Sequence, residues 1–328
     1  LGTAPFALAT DSSVDVRAAD IGVHINAGGH AYVLPCIAGH VGADAAGVLL
    51  AEAPQEHDGV SLIVDVGTNA EILLGNRDRL LAASSPTGPA FEGAQISGGQ
   101  RAAPGAIERV RIDRNTLEPR FKVIGSDLWS DDPQFDGQVT GICGSGIIEV
   151  IAEMFLSGIV DATGSIKAAD SGRIAEDGRT HAYILYDGDP EIRILQNDVR
   201  AIQLAKAALH AGAMLLMERF GVTQVDRIRL AGAFGAHIDA RYAMALGLIP
   251  ECDPDAVSSA GNAAGTGARI ALLDRQSRAL IEQQVRDVEK IETAVEPRFQ
   301  EHFVASMSIP NGESRAETRA RGRRRARR

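Results

Sequence analysis

The sequence predicts an α/β fold, and three observations support this prediction. The chain has 328 residues, 45% of them hydrophobic, which is enough for a large core. Its 35 glycines and 4% aromatic residues fit many tight strand-to-helix turns better than an aromatic-rich β-sandwich. Two apolar runs flank a short polar turn within residues 62–74, which predicts a β-hairpin at the start of the fold.

The turn of this hairpin carries the residues most typical of a binding site. Asp65 ends the first apolar run, and Gly67 lets a ligand approach the backbone closely. Thr68 and Asn69 offer N–H and side-chain donors, so the turn is typical of a phosphate-binding hairpin. The alternative is an ordinary hairpin whose polar turn faces water. Residues 80–84 predict a third strand of the same meander.

The segment after the meander supplies a second candidate carboxylate and a glycine-rich loop. Pro89 suits a first helical turn, so we expect Glu92 near that helix N-terminus, where it can position water or magnesium. The alternative is that Glu92 only satisfies the positive end of the helix dipole. The stretch from Ser97 to Gly105 is too polar for a core element and predicts a surface loop beside the phosphate site.

A second group of small residues precedes a predicted amphipathic helix. Gly144, Ser145 and Gly146 form a glycine turn before a helix expected from about Ile147 to Leu156. Backbone amides at such a helix N-terminus make an anion site, although close helix packing also requires glycine.

The longest predicted helix is capped by Asn197 or Asp198. Steps of three and four place six apolar residues on one core-facing stripe: Val199, Ile202, Ala205, Leu209, Ala213 and Leu216. Lys206 is interpreted as a solvated lysine on the opposite face in preference to a phosphate contact. Residues 226–231 predict a buried strand that leads into a further glycine turn.

Five motifs, in this order and spacing, resemble the C-terminal part of the reductive activators of corrinoid proteins. They are DVGTNAEI, GPAFEGAQISGGQRAAPGAIE, GICGSGIIEV, NDVRAIQLAKAALHAG and LAGAFGAHID. The resemblance runs from about Pro5 to Pro310. It implies a ribonuclease-H-like fold of the actin-like ATPase superfamily, which includes acetate and sugar kinases, heat-shock chaperones and actin.

The resemblance also implies ATP-dependent reductive activation of a corrinoid (cobalamin) protein of a methyltransferase system, with ATP and magnesium as cofactors. The predicted catalytic residues are Asp65 and Glu92. Asp65 is also predicted to bind magnesium. The nucleotide would contact the hairpin, the second glycine turn and an adenosine-binding turn. These residues are Gly67, Thr68, Asn69 and Glu71; Gly144, Ser145 and Gly146; and Gly232, Ala233, Phe234 and Gly235.

The predicted organisation has three parts. Residues 1–58 are a remnant of the family's middle region and of the first half of its cleft, residues 59–310 form the actin-like domain, and residues 311–328 form a disordered arginine-rich tail. Family members carry an upstream 2Fe–2S domain, which receives electrons from a donor, and an earlier phosphate hairpin. Neither is visible here, so we expect the isolated chain to bind ATP weakly and to hydrolyse it negligibly.

Charge and cysteine content narrow the classes of function. Eight arginines and two glutamates give the tail a charge of +6, so the rest of the chain carries −16, which disfavours nonspecific nucleic-acid binding. A solvated tail is favoured over one that binds RNA, a membrane or an acidic partner. Three widely spaced cysteines argue against a metal or iron–sulfur site within the chain and suit the cytoplasm. No apolar run predicts a membrane span.

Two alternatives stay open. One is a small-molecule kinase on the same fold, and the other is a noncatalytic scaffold that binds a corrinoid protein. The resemblance suggests that the loop from Ser97 to Gly105 faces the corrinoid partner. The alternative is that this loop is a linker without a binding role. A homodimer is also left open by the sequence.

Overall fold

The computed structural model describes residues 8, 10–235 and 238–311. Within these residues the strands are β1 (Val14–Arg17), β2 (His30–Val33), β3 (Ser61–Val66), β4 (Ala70–Gly75), β5 (Leu80–Ser85), β6 (Ala106–Ile112), β7 (Pro119–Val123), β8 (Gly141–Ile142), β9 (Ile174–Asp177), β10 (Thr180–Tyr186), β11 (Ile192–Ile194), β12 (Arg227–Ala231), β13 (Val257–Gly261) and β14 (Glu289–Lys290). The α-helices are α1 (Ala43–Glu52), α2 (Gly144–Leu156), α3 (Gln196–Phe220), α4 (Gly232–Gly235), α5 (Ala240–Leu246), α6 (Ala263–Leu273), α7 (Arg275–Asp287) and α8 (Pro297–Ala305).

A six-stranded sheet with the order β13-β12-β3-β4-β5-β14 organises the fold. The strands β3, β4 and β5 form the predicted antiparallel meander. The strand β12 lies parallel to β3, and β13 lies parallel to β12. The strands β3, β4, β5, β12 and β13 are the first to the fifth strands of this sheet in chain order, and β14 adds a sixth at one edge. Numbered in this way, the first five lie in the order 3-2-1-4-5, which confirms the predicted ribonuclease-H-like fold.

Alternate residues of β3 supply the cores on the two faces of this sheet, as the period of two requires. Leu62 and Val64 belong to the core that contains α3 and α2. Ile63 belongs to the core that contains α1, α6 and α7. On the first face, the predicted apolar stripe of α3 is confirmed, because all six of its residues are buried.

The helix α1 belongs to the same packing layer as α6 and α7, although the sequence analysis assigned it to a separate remnant. A Cβ on Gly267 of α6 would lie 1.9 Å from the carbonyl oxygen of Gly47 in α1, so the two helices touch through their backbones. Ile37 and Leu49 are fully buried in the core beneath the sheet. Residues on both sides of position 58 therefore pack in one hydrophobic core. The division of the chain at residue 58 stays a prediction from the sequence.

A smaller unit between β5 and α3 faces one end of the large sheet. It contains the sheet β7-β6-β8 and the helix α2, followed by the sheet β11-β10-β9. The buried carboxylate of Glu149 in α2 accepts hydrogen bonds from Arg109 and Arg111 at 2.7 and 2.6 Å, and from the backbone of Val110 at 2.9 Å. These bonds hold α2 against β6.

Three sequence-based expectations need correction. The helix α2 begins at Gly144 and not at Ile147, because the extended backbone of Cys143 already serves as its N-cap. The long helix begins at Gln196, while the carboxylate of Asp198 accepts a hydrogen bond from the backbone of Leu195 at 2.7 Å.

Lys206 is the third correction, because its side chain is fully buried. Its Nζ donates to the carbonyl oxygens of Ser306 and Ser308, each at 2.6 Å, and to Oδ1 of Asn311 at 2.7 Å. Asn311, which the sequence analysis placed first in the tail, is therefore part of the packed structure. Residues 312–328 of the predicted tail lie outside the described residues.

None of the described helices combines the length and the apolar character needed to cross a bilayer.

Candidate nucleotide site

A cavity of about 500 Å³ lies where the carboxyl ends of β3 and β12 face the start of α2. Ligands of α/β proteins bind at this edge of a sheet, where loops from neighbouring parallel strands diverge. The cavity is lined by Asp65, Val66, Gly67, Phe91, Glu92, Gln100, Arg101, Ala102, Glu108, Ile124, Cys143, Gly144, Ser145 and Gly232. Six of the residues predicted to form the site are thus brought together from four separate segments.

Gly232 lies directly against the carboxylate of Asp65. A Cβ at position 232 would lie 2.5 Å from Oδ1 of Asp65, and Gly232 has a φ of +88°. Both facts exclude a larger residue, since the first is a clash and the second is a strained conformation for a side chain. The glycine turn after β12 therefore lets the end of one parallel strand meet the end of its neighbour.

Hydrogen bonds of two threonines hold the hairpin turn in place. The hydroxyl of Thr68 donates to Oε1 of Glu92 at 2.5 Å, which joins the turn to the 3₁₀ helix Pro89–Glu92. The hydroxyl of Thr87 donates to the carbonyl oxygens of Gly67 and Thr68 at 3.1 and 3.0 Å. The two predicted catalytic carboxylates, Asp65 of the hairpin and Glu92 of the 3₁₀ helix, line the same cavity.

Three carboxylates, of Asp44, Asp65 and Glu71, form what we call the carboxylate cluster. Asp65 and Glu71 are directly paired across β3 and β4, and Asp44 lies in the first turn of α1. Burial, and secondarily Asp44, raises the pKa of Asp65 to about 6. Burial, again followed by Asp44, raises the pKa of Glu71 to about 7, although Ser84 donates a hydrogen bond to it at 3.2 Å. Negative charge is therefore unfavourable here without a cation.

The N-terminus of α2 forms the opposite wall of the cavity. Gly144 and Ser145 line it, and the first turn of α2 has neither a side-chain cap nor an acidic residue. Its amide groups suit an anion. Gly146 has a different role, because a Cβ there would lie 2.3 Å from the carbonyl oxygen of Ile107. The predicted glycine turn is thus a helical turn in which Gly146 permits close packing of α2 on β6.

The remaining predicted residues are not all in this cavity. Asn69 lines a different cavity of about 490 Å³, together with His40 and Ser84. Gly235 packs against the backbone of Leu230, with a notional Cβ at 3.2 Å from its carbonyl carbon. The side chains of Ala233 and Phe234 lie outside the described residues. Of the four residues predicted for the adenosine side, Gly232 lines the cavity.

Sequence reasoning did not single out the other polar residues of the cavity wall. Gln100 and Arg101 belong to the loop that the sequence analysis placed beside the phosphate site, but the only role suggested for that loop was a contact with the partner. Glu108 of β6 reaches the cavity because the small unit packs against the end of the large sheet. The glycine-rich composition of the loop was the available signal, whereas nothing local to β6 marks Glu108.

The order of the strands is that of a domain of the actin-like ATPase class, and the cavity at the ends of β3 and β12 is its candidate nucleotide site. Comparison with known proteins agrees with this assignment. The model of the C-terminal domain of RACo, the ASKHA domain, matches residues 59–319, and the model of the RACo middle region matches residues 1–56. The chain therefore belongs to the RACo family.

Two relatives whose names refer to corrinoid proteins are similar to the chain in sequence. The chain is 36% identical over 319 residues to the corrinoid activation enzyme RamQ of Eubacterium limosum, which covers 93% of this chain and 51% of RamQ. It is 30% identical over 230 residues to the Co(II) methylated amine-specific corrinoid protein reductase of Methanosarcina barkeri, covering 66% of this chain and 40% of the reductase.

A solved structure is also similar. The reductive activator for corrinoid, iron–sulfur protein superimposes with a TM-score of 0.85 at 32% identity, over 95% of this chain and 49% of that one. The chain thus spans about half the length of the RamQ and activator chains that it matches.

Proposed function

We propose that this chain is the nucleotide-binding part of a reductive activator of corrinoid proteins, and that ATP with magnesium binds in the cavity at the ends of β3 and β12. The supporting observation is the convergence of Asp65 and Gly67, the α2 N-terminus and Gly232 on one cavity. The named relatives of the family act on corrinoid proteins.

Each wall of the cavity has a distinct role in this proposal. The hairpin turn and the first turn of α2 present amide groups to the phosphates, and Gly232 lines the cavity directly beside Asp65. Glu92 orients water beside the terminal phosphate. Such a site contributes positioning and charge stabilisation and little covalent chemistry.

Magnesium fits the carboxylates present. The ion usually binds one or two carboxylates, with phosphates and water completing its shell. Asp65 supplies such a carboxylate, and the raised pKa of this group supports the placement of a cation beside it, because a cation would favour the charged form. When bound, magnesium would neutralise phosphate charge.

An iron–sulfur cluster does not fit the described residues. No group of three or more His, Cys, Asp or Glu side chains in the described part of the chain is arranged to hold a metal. The three cysteines, Cys36, Cys143 and Cys252, are unpaired thiols and lie in separate parts of the fold. In the proposed function, a 2Fe–2S cluster and electrons from a donor come from the other half of the family architecture.

The proposed partner is a corrinoid protein in the cytoplasm. Reduction of cobalt to its lowest oxidation state is unfavourable. In this proposal, nucleotide binding and closure of the cavity supply free energy that changes the coordination of the cobalt in the partner. In the loop from Ser97 to Gly105, Ala103 and Pro104 are exposed and offer a contact for this partner, while Gln100 to Ala102 line the cavity. A homodimer stays a prediction.

The first test is Asp65→Asn, with Asp78→Asn as the matched control. Asp78 is exposed in the β4–β5 turn, at the opposite end of the same strands. We expect Asp65→Asn to weaken magnesium–ATP binding about a hundredfold, because a charged partner is removed, and Asp78→Asn to leave it unchanged. Calorimetry, or equilibrium dialysis at millimolar ATP if binding is weak, measures this.

Unchanged magnesium–ATP affinity in folded Asp65→Asn would reject this site. The partner is tested by phosphate release with and without an added corrinoid protein. Stimulation by the corrinoid protein supports the activator, whereas phosphoryl transfer to a small hydroxylated acceptor without it would identify a kinase.

A further inference from the structure

We infer that Arg101 is the residue that recognises the phosphate charge of the nucleotide and makes the cavity selective for polyphosphates. This inference rests on the proposed function and adds a residue to it.

The charges of the cavity wall require a cation. Three carboxylates line the cavity, those of Asp65, Glu92 and Glu108. A nucleoside triphosphate is itself strongly anionic, so its approach is opposed by these groups. Arg101 is the one basic side chain among the described residues that line the cavity. Magnesium can neutralise part of the charge, whereas Arg101 supplies a positive charge that belongs to the chain itself.

The backbone on the N-terminal side of Arg101 is held by β8. Gln100 donates its backbone N–H to the carbonyl oxygen of Ile142 at 2.9 Å, and the backbone of Ile142 donates to Gly98 at 2.9 Å. The side chain of Gln100 also donates to Oγ1 of Thr140 at 3.0 Å. The first half of the loop is thus an extension of a sheet.

The backbone on the C-terminal side is held in the same way. Gly105 donates to the carbonyl oxygen of Ile124 at 2.9 Å, and Thr140 donates to the carbonyl oxygen of Gly105 at 3.0 Å. Arg101 therefore lies in a short span between two anchored segments. A plain linker, which the sequence left open, would not need these bonds, whereas a ligand-binding side chain is best carried on a fixed backbone.

The guanidinium of Arg101 differs from those of its neighbours on β6. Arg109 and Arg111 are committed to the buried carboxylate of Glu149. Arg101 is exposed, and within residues 10–235 and 238–311 it makes no ion pair or hydrogen bond. Its planar set of donors suits bidentate binding of a phosphate. The positive charge at the mouth of this cavity is thus available to a ligand.

The test compares three ligands of increasing charge, adenosine, ADP and ATP, by equilibrium dialysis with the full chain. We expect Arg101→Gln to weaken ATP binding about tenfold, ADP binding less, and adenosine binding not at all. Arg101→Lys should recover part of the ATP affinity, because it keeps the charge but loses the bidentate geometry. Arg114→Gln, at an exposed arginine in the β6–β7 turn, is the control and should change nothing.

Three outcomes would overturn the inference. Equal loss for adenosine and ATP would show a structural effect of Arg101, which a lowered melting temperature without ligand would also reveal. Unchanged ATP affinity in Arg101→Gln, alongside a loss in Asp65→Asn, would reject Arg101 and leave the proposed function intact. Absence of binding for every nucleotide by the unmodified chain would reject both.

Discussion

Two regions of this molecule bury charge in opposite ways. In the carboxylate cluster, Asp65 and Glu71 face each other and Asp44, with a single hydroxyl donor from Ser84. What we call the lysine cluster consists of Lys206 with the acceptors of Ser306, Ser308 and Asn311, and every hydrogen of its ammonium has an acceptor within 2.7 Å. Asp65 of the first region lines the cavity, whereas the second region lies under the C-terminal segment.

Burial disfavours the charged form in both regions, and the hydrogen-bond partners make the difference. Burial lowers the pKa of Lys206 to about 7, and the ammonium form has three acceptors. In the carboxylate cluster, burial and like charge act in the same direction and raise both pKa values. A buried charge with all its partners anchors the fold, whereas one that lacks a counter-charge is suited to a ligand.

The lysine cluster should show the largest effect on stability. We expect Lys206→Met to lower the free energy of unfolding by about 3–5 kcal/mol, because it keeps most of the side-chain volume but leaves three buried acceptors without a donor. Urea denaturation measures the change. Leu204→Met, at an exposed position of the same helix, is the control. A loss below about 1 kcal/mol would mean that water can satisfy these acceptors.

A smaller effect is expected for one acceptor of the same cluster. Asn311→Ala should destabilise the chain by about 1–3 kcal/mol, because it removes a bond to Lys206 and a bond of 3.0 Å to the carbonyl oxygen of Gly247. Asn197→Ala, at an exposed position in the first turn of α3, should be close to neutral in thermal denaturation. Equal melting temperatures for the two variants would place Asn311 in the solvated tail that the sequence predicted.

The carboxylate cluster should respond with the opposite sign. We expect Glu71→Gln to stabilise the chain by about 1–2 kcal/mol at pH 8, a value discounted for solvent access. The folded-state pKa of Glu71 is about 7 against 4.5 when unperturbed, so the folded chain holds a proton more tightly than the unfolded chain. Stability linked to this group therefore falls as the pH rises from about 4.5 to 7.

The gain from Glu71→Gln should consequently be full above pH 7 and vanish below about 4.5, where the carboxyl is protonated in both states. Thermal denaturation across this range checks it, with the exposed Glu176→Gln as control. Destabilisation at pH 8 would show that the charged form of Glu71 is favoured, and would remove the contrast with Lys206.

The fold was predictable from short-range patterns. The apolar runs on either side of the turn indicated two strands, and steps of three and four along α3 indicated its buried face. The hairpin turn marked by Asp65 and Gly67 could also be predicted, because turn geometry restricts which residues occur there. These signals are local, since each depends on backbone conformation within a few residues.

The composition of the cavity could be predicted only in part. The motifs correctly indicated four residues of the cavity wall: Asp65, Gly67, Glu92 and Gly232. The hairpin motif also predicted Asn69 in this site, but in the structure Asn69 lines a different cavity. Successive residues of a hairpin turn point in different directions, and sequence proximity does not specify which side faces the ligand.

Local periodicity in the sequence indicated the strands and helices, and the resemblance of five motifs indicated the family and the segments that line the candidate nucleotide site. The tertiary structure alone decided that Arg101 and Glu108 share a cavity with Asp65, and that Lys206 is buried. The physical reason is that burial and charge pairing depend on residues far apart in the chain. Lys206 and Asn311, separated by 105 positions, become partners only when the C-terminal segment packs on α3.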